Sequence, residues 1–366
     1  MLITKGAQDI YLIGNPQITF FKVVYRRYTN FSMELKPQTI TGFVKPGNNV
    51  KCYIQRDGDL IHNIYVELEN NTKEHYPSNF GNYMLDQVDI IIGGQVIDSQ
   101  RGHWMEVYSR LTQHHDAYPM SDRMDGIDYG GGTDRTNQQL YDNYQRLTLS
   151  GGIKGTDPTD DTTKIILGKM SVPLMFWFCR NPGLSLPLIA LQYNEVVLDI
   201  YLNSFQDYIS NHGNIPETYN PLQNMEIWVE YIYLDTDERR RFAQITHEYL
   251  IEQVQINQFD LITGPNYLDL KFNNTVKEVI FAPHWNNVND IGSIPGLGNN
   301  NTEVSFSINT NDFFNSNRSL TYFTRNQIWD KHTGNTNFFG DGSGYITYKD
   351  ETLANQKYTH DSKVQY

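Results

Sequence analysis

Apolar and polar positions alternate most clearly from Trp228 to Leu234, where Trp228, Glu230, Ile232 and Leu234 would face one way and Val229, Tyr231 and Tyr233 the other. Rich in aromatic and β-branched residues, this run predicts a strand with at least one buried face. Asp235 and Asp237 follow with N-cap chemistry, and Glu238 to Gln244 is good helix-forming material. A second strand-like run, Tyr249 to Ile256, comes directly after. Strand, short charged helix and new strand together mark a junction, with one β-domain before it and the start of another after it.

Earlier in the chain, Ile18–Tyr28 reads as a strand with two largely apolar faces, and Phe31–Phe43 alternates as a further strand. Val50–Gln55 and Leu60–Leu68 flank Asp57-Gly58, and Val88–Ile92 and Val96-Ile97 flank Gly93-Gly94, so each pair predicts a hairpin. His103–Leu111 has helical spacing, with Trp104, Val107 and Leu111 on one side. The stretches 112–163 and 203–221 turn polar and read as long loops. Between them, strands are expected at Ile165–Leu167 and Met175–Cys179, with a long one within Leu184–Leu202 after the break at Pro187. About eight strands joined by hairpins and long crossovers suit a jelly-roll sandwich. Beyond Ile245, strand material is confined to Tyr249–Ile256, Tyr267–Phe272, Val276–Phe281, Val304–Ile308 and Tyr345–Tyr348. That is about five strands against the eight of a jelly roll, so the second sandwich is expected to be incomplete. The resulting division is an N-terminal arm and first strand start at 1–26, a first jelly roll at 27–245, and a truncated second at 246–366.

Composition sharpens this all-β reading. Abundant Tyr (25) and Phe (18), with Gly (27) between the aromatic runs, favour strands and turns over helices. A net charge of −13 with no basic tail argues against direct nucleic-acid binding. The cluster Arg239–Arg241 follows two acids and is expected to join a local ion-pair network at the seam between the sandwiches. No apolar run approaches a membrane span, and the opening M-L-I-T-K-G-A-Q-D-I lacks the layout of a secretory signal. Cys52 and Cys179 make no disulfide framework; they read as buried thiols in strands, suited to a reducing cytoplasm.

Candidate chemistry is sparse. His114-His115-Asp116 offers no third metal ligand, and Asp157-Pro158-Thr159-Asp160-Asp161 lacks the spacing of a calcium loop. Gly130-Gly131-Gly132 has neither the strand-to-helix context nor the lysine of a phosphate cradle. No catalytic triad is indicated by spacing, and no cofactor or metal site is expected. Sequons stand at Asn30, Asn70, Asn273, Asn300 and Asn317, a number an Asn-rich chain reaches by chance.

Three blocks carry a resemblance to a known family: Gly6–Phe31 (G-A-Q-D-I-Y-L-I-G-N-P-Q-I-T-F-F-K-V-V-Y-R-R-Y-T-N-F), Pro187–Val196 (P-L-I-A-L-Q-Y-N-E-V) and Tyr233–Gln255. They resemble the major capsid proteins of nucleocytoplasmic large DNA viruses. The resemblance implies two tandem jelly rolls, a homotrimeric pseudo-hexagonal capsomer tiling an icosahedral shell, and no enzymatic activity. It also implies neighbouring capsomers and minor capsid proteins as partners, an inner membrane met only indirectly, and a virion location after assembly in the host cytoplasm. Asp235, Asp237, Arg239, Arg240 and Arg241 are then the expected inter-domain junction. The family's N-F-S-R-I-D-like segment is missing from this sequence. Two other classes compete: a jelly-roll carbohydrate-binding or carbohydrate-active protein, and a minor or penton-type capsid component, against which the strand–helix–strand junction argues.

Overall fold

The computed structural model of the protein describes residues 29–70, 80–112, 118–119, 140–141, 147–148, 168–204, 222, 224–260, 265–281, 303–308, 311–312, 318–319, 322–332 and 364–365. Two five-stranded antiparallel sheets face each other across a single core. The first contains β1 (Phe31–Gln38), β4 (Leu60–Asn70), β7 (Gly168–Pro173), β8 (Leu186–Pro187) and β10 (Asn224–Leu234). Its order is β1-β10-β4, with β7 and β8 sharing the far side of β4. The second runs β2 (Ile40–Thr41), β3 (Asn49–Tyr53), β9 (Val196–Leu202), β5 (Leu85–Ile92), β6 (Gln95–Gln100). The first strand lies beside the last, and the chain crosses repeatedly from one sheet to the other (β1 to β2, β3 to β4, β4 to β5, β6 to β7, β8 to β9, β9 to β10), which is the jelly-roll arrangement.

Period-two burial builds this sandwich. In β4, Ile64, Val66 and Leu68 are fully buried while Asn63, Tyr65, Glu67 and Glu69 face outward. Val50 and Cys52 of β3, Val88 and Ile90 of β5, Leu198 and Ile200 of β9, and Ile227, Val229 and Tyr231 of β10 meet them in one cluster. Burying each large apolar side chain stabilises the fold by roughly 1.5–3 kcal/mol before entropy is counted.

Several expected elements hold. The hairpin at Gly93-Gly94 joins β5 to β6, with positive φ at both glycines (59° and 81°), as its tight turn demands. The helix around His103 exists as α2 (Gly102–Thr112), which follows α1 (Phe80–Met84) in the chain.

Others are corrected. Asp57-Gly58 does not close a hairpin: β3 and β4 lie in different sheets, and the segment between them crosses over the end of β10. Gly58 is required there because a Cβ would come within 2.6 Å of the Tyr231 Cβ. Phe31–Phe43 divides between the sheets at Gln38, whose buried Oε1 accepts from Gln55 N at 2.9 Å. Met175–Cys179 is not a strand. Pro173 ends β7, and Trp177–Arg180 forms a helical turn, α3, with Phe178 packed edge-on to Trp177 and stacked near Phe176. Its Cys179 therefore sits in a helical turn, whereas Cys52 lies in β3 as expected. In Leu184–Leu202 only β8 and β9 are strands, separated by a turn.

After Ile245 the difference is larger. Tyr249–Ile256 and Tyr267–Phe272 have no regular secondary structure and belong to no ladder among the described residues, with Leu250 89% and Tyr267 95% exposed. Apolar content alone makes no strand where no neighbour takes the backbone hydrogen bonds. Of Val276–Phe281 only Ile280-Phe281 is a strand, paired with Val364-Gln365; Glu303-Val304 pairs with Arg318-Ser319, and Ser307-Ile308 with Asn311-Asp312. Ile18–Tyr28, Ile165–Leu167, Tyr345–Tyr348, most of 112–163 and 203–221, and the His114, Gly130 and Asp157 clusters lie outside the described residues, as do Asn300 and Asn317. Asn30 and Asn273 are exposed, whereas Asn70 is fully buried.

Candidate functional site

The junction grows out of β10. Leaving the sheet at Leu234, the chain turns at Asp235, whose Oδ1 accepts from Thr236 N at 2.7 Å, and enters α4 (Thr236–Gln244). Asp237 and Glu238 in the first turn and Arg241 in the last complement the helix dipole. The three arginines diverge. Arg239 donates to Asp59 Oδ2 at 2.9 Å, whereas Arg240 and Arg241 are exposed and have no ion-pair partner among the described residues. Asp237 is exposed as well.

Asp59 is the residue that sequence reasoning missed. Only 7% exposed, its Oδ2 also accepts from Leu234 N at 2.9 Å. Its own N–H donates to Ile232 O and its carbonyl accepts from Ile189 N. One residue therefore ties the end of β10, the start of α4 and the turn after β8. Its signal was hidden in R-D-G-D, which reads as a solvated turn.

That turn, 188–195, lies within the second sequence block and is held by Arg56, whose guanidinium donates to the carbonyls of Leu191 (2.6 Å), Gln192 and Asn194 (3.0 Å). Gly93 N donates to Glu195 O at 3.0 Å, so the β5–β6 hairpin braces it from the side. Tyr193 projects from the turn, 96% exposed.

A second cluster lies where the chain leaves α4. Arg180 of α3 donates through Nε to Met175 O (2.8 Å), pairs with Glu252 (3.0 Å) and lies over the Tyr108 ring at 4.4 Å. Lys277 also pairs with Glu252. Asp98 on β6 accepts from Val254 N at 2.9 Å, from Ser99 N and from Gln100 Nε2, while Gln100 exchanges two hydrogen bonds with the Met175 backbone. Burial raises the Asp98 carboxyl above the ordinary carboxylate value despite these donors. It likewise pushes the Cys52 and Cys179 thiols up to about 12 and raises the Tyr231 hydroxyl, which donates to Gln55 O at 2.6 Å. Neither cluster aligns a nucleophile with a base, and no group of three potential metal ligands occurs among the described residues. What this arrangement does is hold chain segments in place.

The family profile described as "Major capsid protein N-terminus" matches residues 19–235, the sandwich together with the residues leading to the junction cap. The chain belongs to this family. Within it, the major capsid protein of Pyramimonas orientalis virus is 41% identical over 284 residues, covering 77% of this chain and 63% of that protein. The major capsid protein of Paramecium bursaria Chlorella virus 1 is 37% identical over 330 residues, covering 86% of this chain and 68% of that one. The chain thus spans about two thirds of the length of these capsid relatives. Among solved structures, the quasi-atomic PBCV-1 virus capsid superposes with a TM-score of 0.56 at 28% identity, over 95% of this chain and 80% of that one. The crystal structure of PBCV-1 VP54 gives 0.55 at 29% identity, over 86% and 78%. Family membership and fold agree, and both favour a structural role over the carbohydrate-active alternative.

Proposed function

We propose that this chain is a building block of the icosahedral shell of a large DNA virus, three copies forming a pseudo-hexagonal capsomer. The observation that carries this reading is the coincidence of the family match at 19–235 with a closed sandwich ending at the capped junction. Two similar sandwiches per chain and three chains per ring supply six wedges for a hexagonal lattice, and cyclic symmetry suits such a trimer. In this reading the division is 27–245 for the first sandwich and a second one beyond, with Asp235, Asp237 and Arg239–Arg241 at the hinge. Neighbouring capsomers and minor capsid proteins are its partners, a membrane is met only indirectly, and assembly takes place in the host cytoplasm.

Surface chemistry supports association. On β1, an edge strand among the described residues, Phe31, Met33 and Leu35 share one face and are 64%, 42% and 45% exposed. An apolar row beside an open ladder edge is a surface that proteins usually cover. Obligate interfaces bury more than about 2,000 Å². Sedimentation of folded protein at micromolar concentration is expected to give trimers, and electron microscopy of assembled particles to show hexagonal capsomers. A monomer alone would count against the proposal.

A further inference from the structure

The segment after α4 contributes nothing to a ladder, yet it is fixed to the first sandwich. Ile251 packs against the sandwich core. Glu252 meets Arg180 at 3.0 Å, Gln253 Nε2 donates to Ile97 O, and Val254 N donates to Asp98 Oδ1. Ile251 thus uses the core, and the next three residues use α3 and the outer edge strand of the second sheet. Leu250 at 89% exposure and Ile256 at 45% mark the two ends of the attached stretch.

The receiving side is already organised. Arg180 is held by Met175 O and by the Tyr108 ring, and Met175 is itself held by Gln100 from the same edge strand. Asp98 presents its carboxylate from β6 with Ser99 N and Gln100 Nε2 supporting it. A planar guanidinium fixed by stacking loses little further freedom on pairing, which favours a specific partner position. On its far side the segment carries the next part of the chain: Lys277 pairs with Glu252, Gln255 exchanges two hydrogen bonds with the Asn273 backbone, and Asn257 Nδ2 donates to Lys271 O.

We propose that the outer edge of the second sheet is a docking surface for the chain's own residues 251–254, and that this strap sets the direction in which the rest of the chain leaves the first sandwich. Arg180 and Asp98 are its positioning residues. The working boundary between the two halves then falls after Val254 instead of at Ile245, and α4 belongs wholly to the first. The recognised pattern is apolar, acidic, amide, then a backbone N–H, matched by core, guanidinium, carbonyl and carboxylate.

The test uses the full chain, spin-labelled at Tyr193→Cys and Asp269→Cys on a Cys179→Ser background. Labelled chains are diluted into unlabelled ones so that only distances within one chain are read. The parent is expected to give one narrow distance distribution. Val254→Pro, which removes the N–H that Asp98 accepts, and Glu252→Gln, which removes the ion pair, should each broaden it. Lys36→Gln, on the opposite sheet, should leave it unchanged. Arg180→Lys, keeping the charge without the stacked plane, should fall between parent and Glu252→Gln. By hydrogen exchange, the Val254 amide should exchange about tenfold or more faster in Glu252→Gln. A broad distribution in the parent, or variants indistinguishable from it, would overturn the proposal. Because the readout is internal to one chain, it is independent of whether trimers or shells form.

Discussion

At the scale of single residues, the contacts that matter most join positions far apart in sequence. Tyr231 and Gly58 are the clearest pair. Gly58→Ala should lower stability by roughly 1–3 kcal/mol through overpacking against Tyr231, and Tyr231→Phe by about 0.5–1.5 kcal/mol through the lost bond to Gln55 O. Urea-denaturation midpoints of the two variants check both figures. Asp59 is a second case. Since Arg239 is 52% exposed, its ion pair alone is worth little, ~0–1 kcal/mol. Asp59→Ala should therefore cost clearly more than Arg239→Ala, because it also orphans Leu234 N. Equal losses in the two variants would place the stabilisation in the ion pair instead. Sequence could suggest neither pair: Gly58 and Asp59 sit in a turn-like D-G-D, and Tyr231, Leu234 and Arg239 lie more than 170 positions away.

Asp98 adds a pH dependence with a definite sign. Its folded-state pKa is raised, so the folded chain binds more protons than the unfolded one wherever the two differ. Its contribution to stability is therefore greatest at low pH, declines from near the ordinary value of about 3.9 as pH rises towards the folded value, and is level above that. Asp98→Asn should remove this slope from the pH profile of the unfolding free energy. An unchanged profile would assign the slope to another group.

At the scale of elements, legibility followed the source of each element's stability. The hairpin at Gly93-Gly94 and helix α2 are set by local chemistry, turn glycines in one and a 3.6-residue spacing in the other, and both were readable. The cap at Asp235 was readable for the same reason. Replacing Asp235 by Ala should cost about 0.5–2 kcal/mol; loss of helix signal without loss of stability would show that α4 does not couple to the sandwich. Elements decided by distant partners were misread. Val50–Gln55 and Leu60–Leu68 look like hairpin arms until β9 and β10 claim them for different sheets. Phe176, Trp177 and Phe178 look like strand because their mutual packing is invisible in a linear pattern. The runs Tyr249–Ile256 and Tyr267–Phe272 failed for the opposite reason: their composition was right, but no ladder receives them.

At the scale of the whole molecule, the first sandwich is closed by pairing Phe31–Gln38 with Ile227–Leu234. Native-state thiol labelling offers a global measure of that closure. Cys52, fully buried and with its thiol raised to about 12, should react with iodoacetamide at pH 8 only as fast as the sandwich opens, whereas the half-buried Cys179 is replaced by Ser in this experiment. Prompt labelling of Cys52 in the native protein would mean that the two sheets part readily.

The same pairing fixes the order of events during synthesis. Phe31 finds its partner Leu234 only after the entire intervening sequence has left the ribosome. At about 5–20 residues per second, that wait is on the order of 10–40 s. Throughout it, β1 lacks β10, its ladder neighbour among the described residues, and its Phe31–Met33–Leu35 face is available to any other chain being made on the same message. A polysome translating this gene therefore holds many copies at the stage most prone to pairing with one another. A chaperone that shields the first forty residues would act at the point where the risk is greatest.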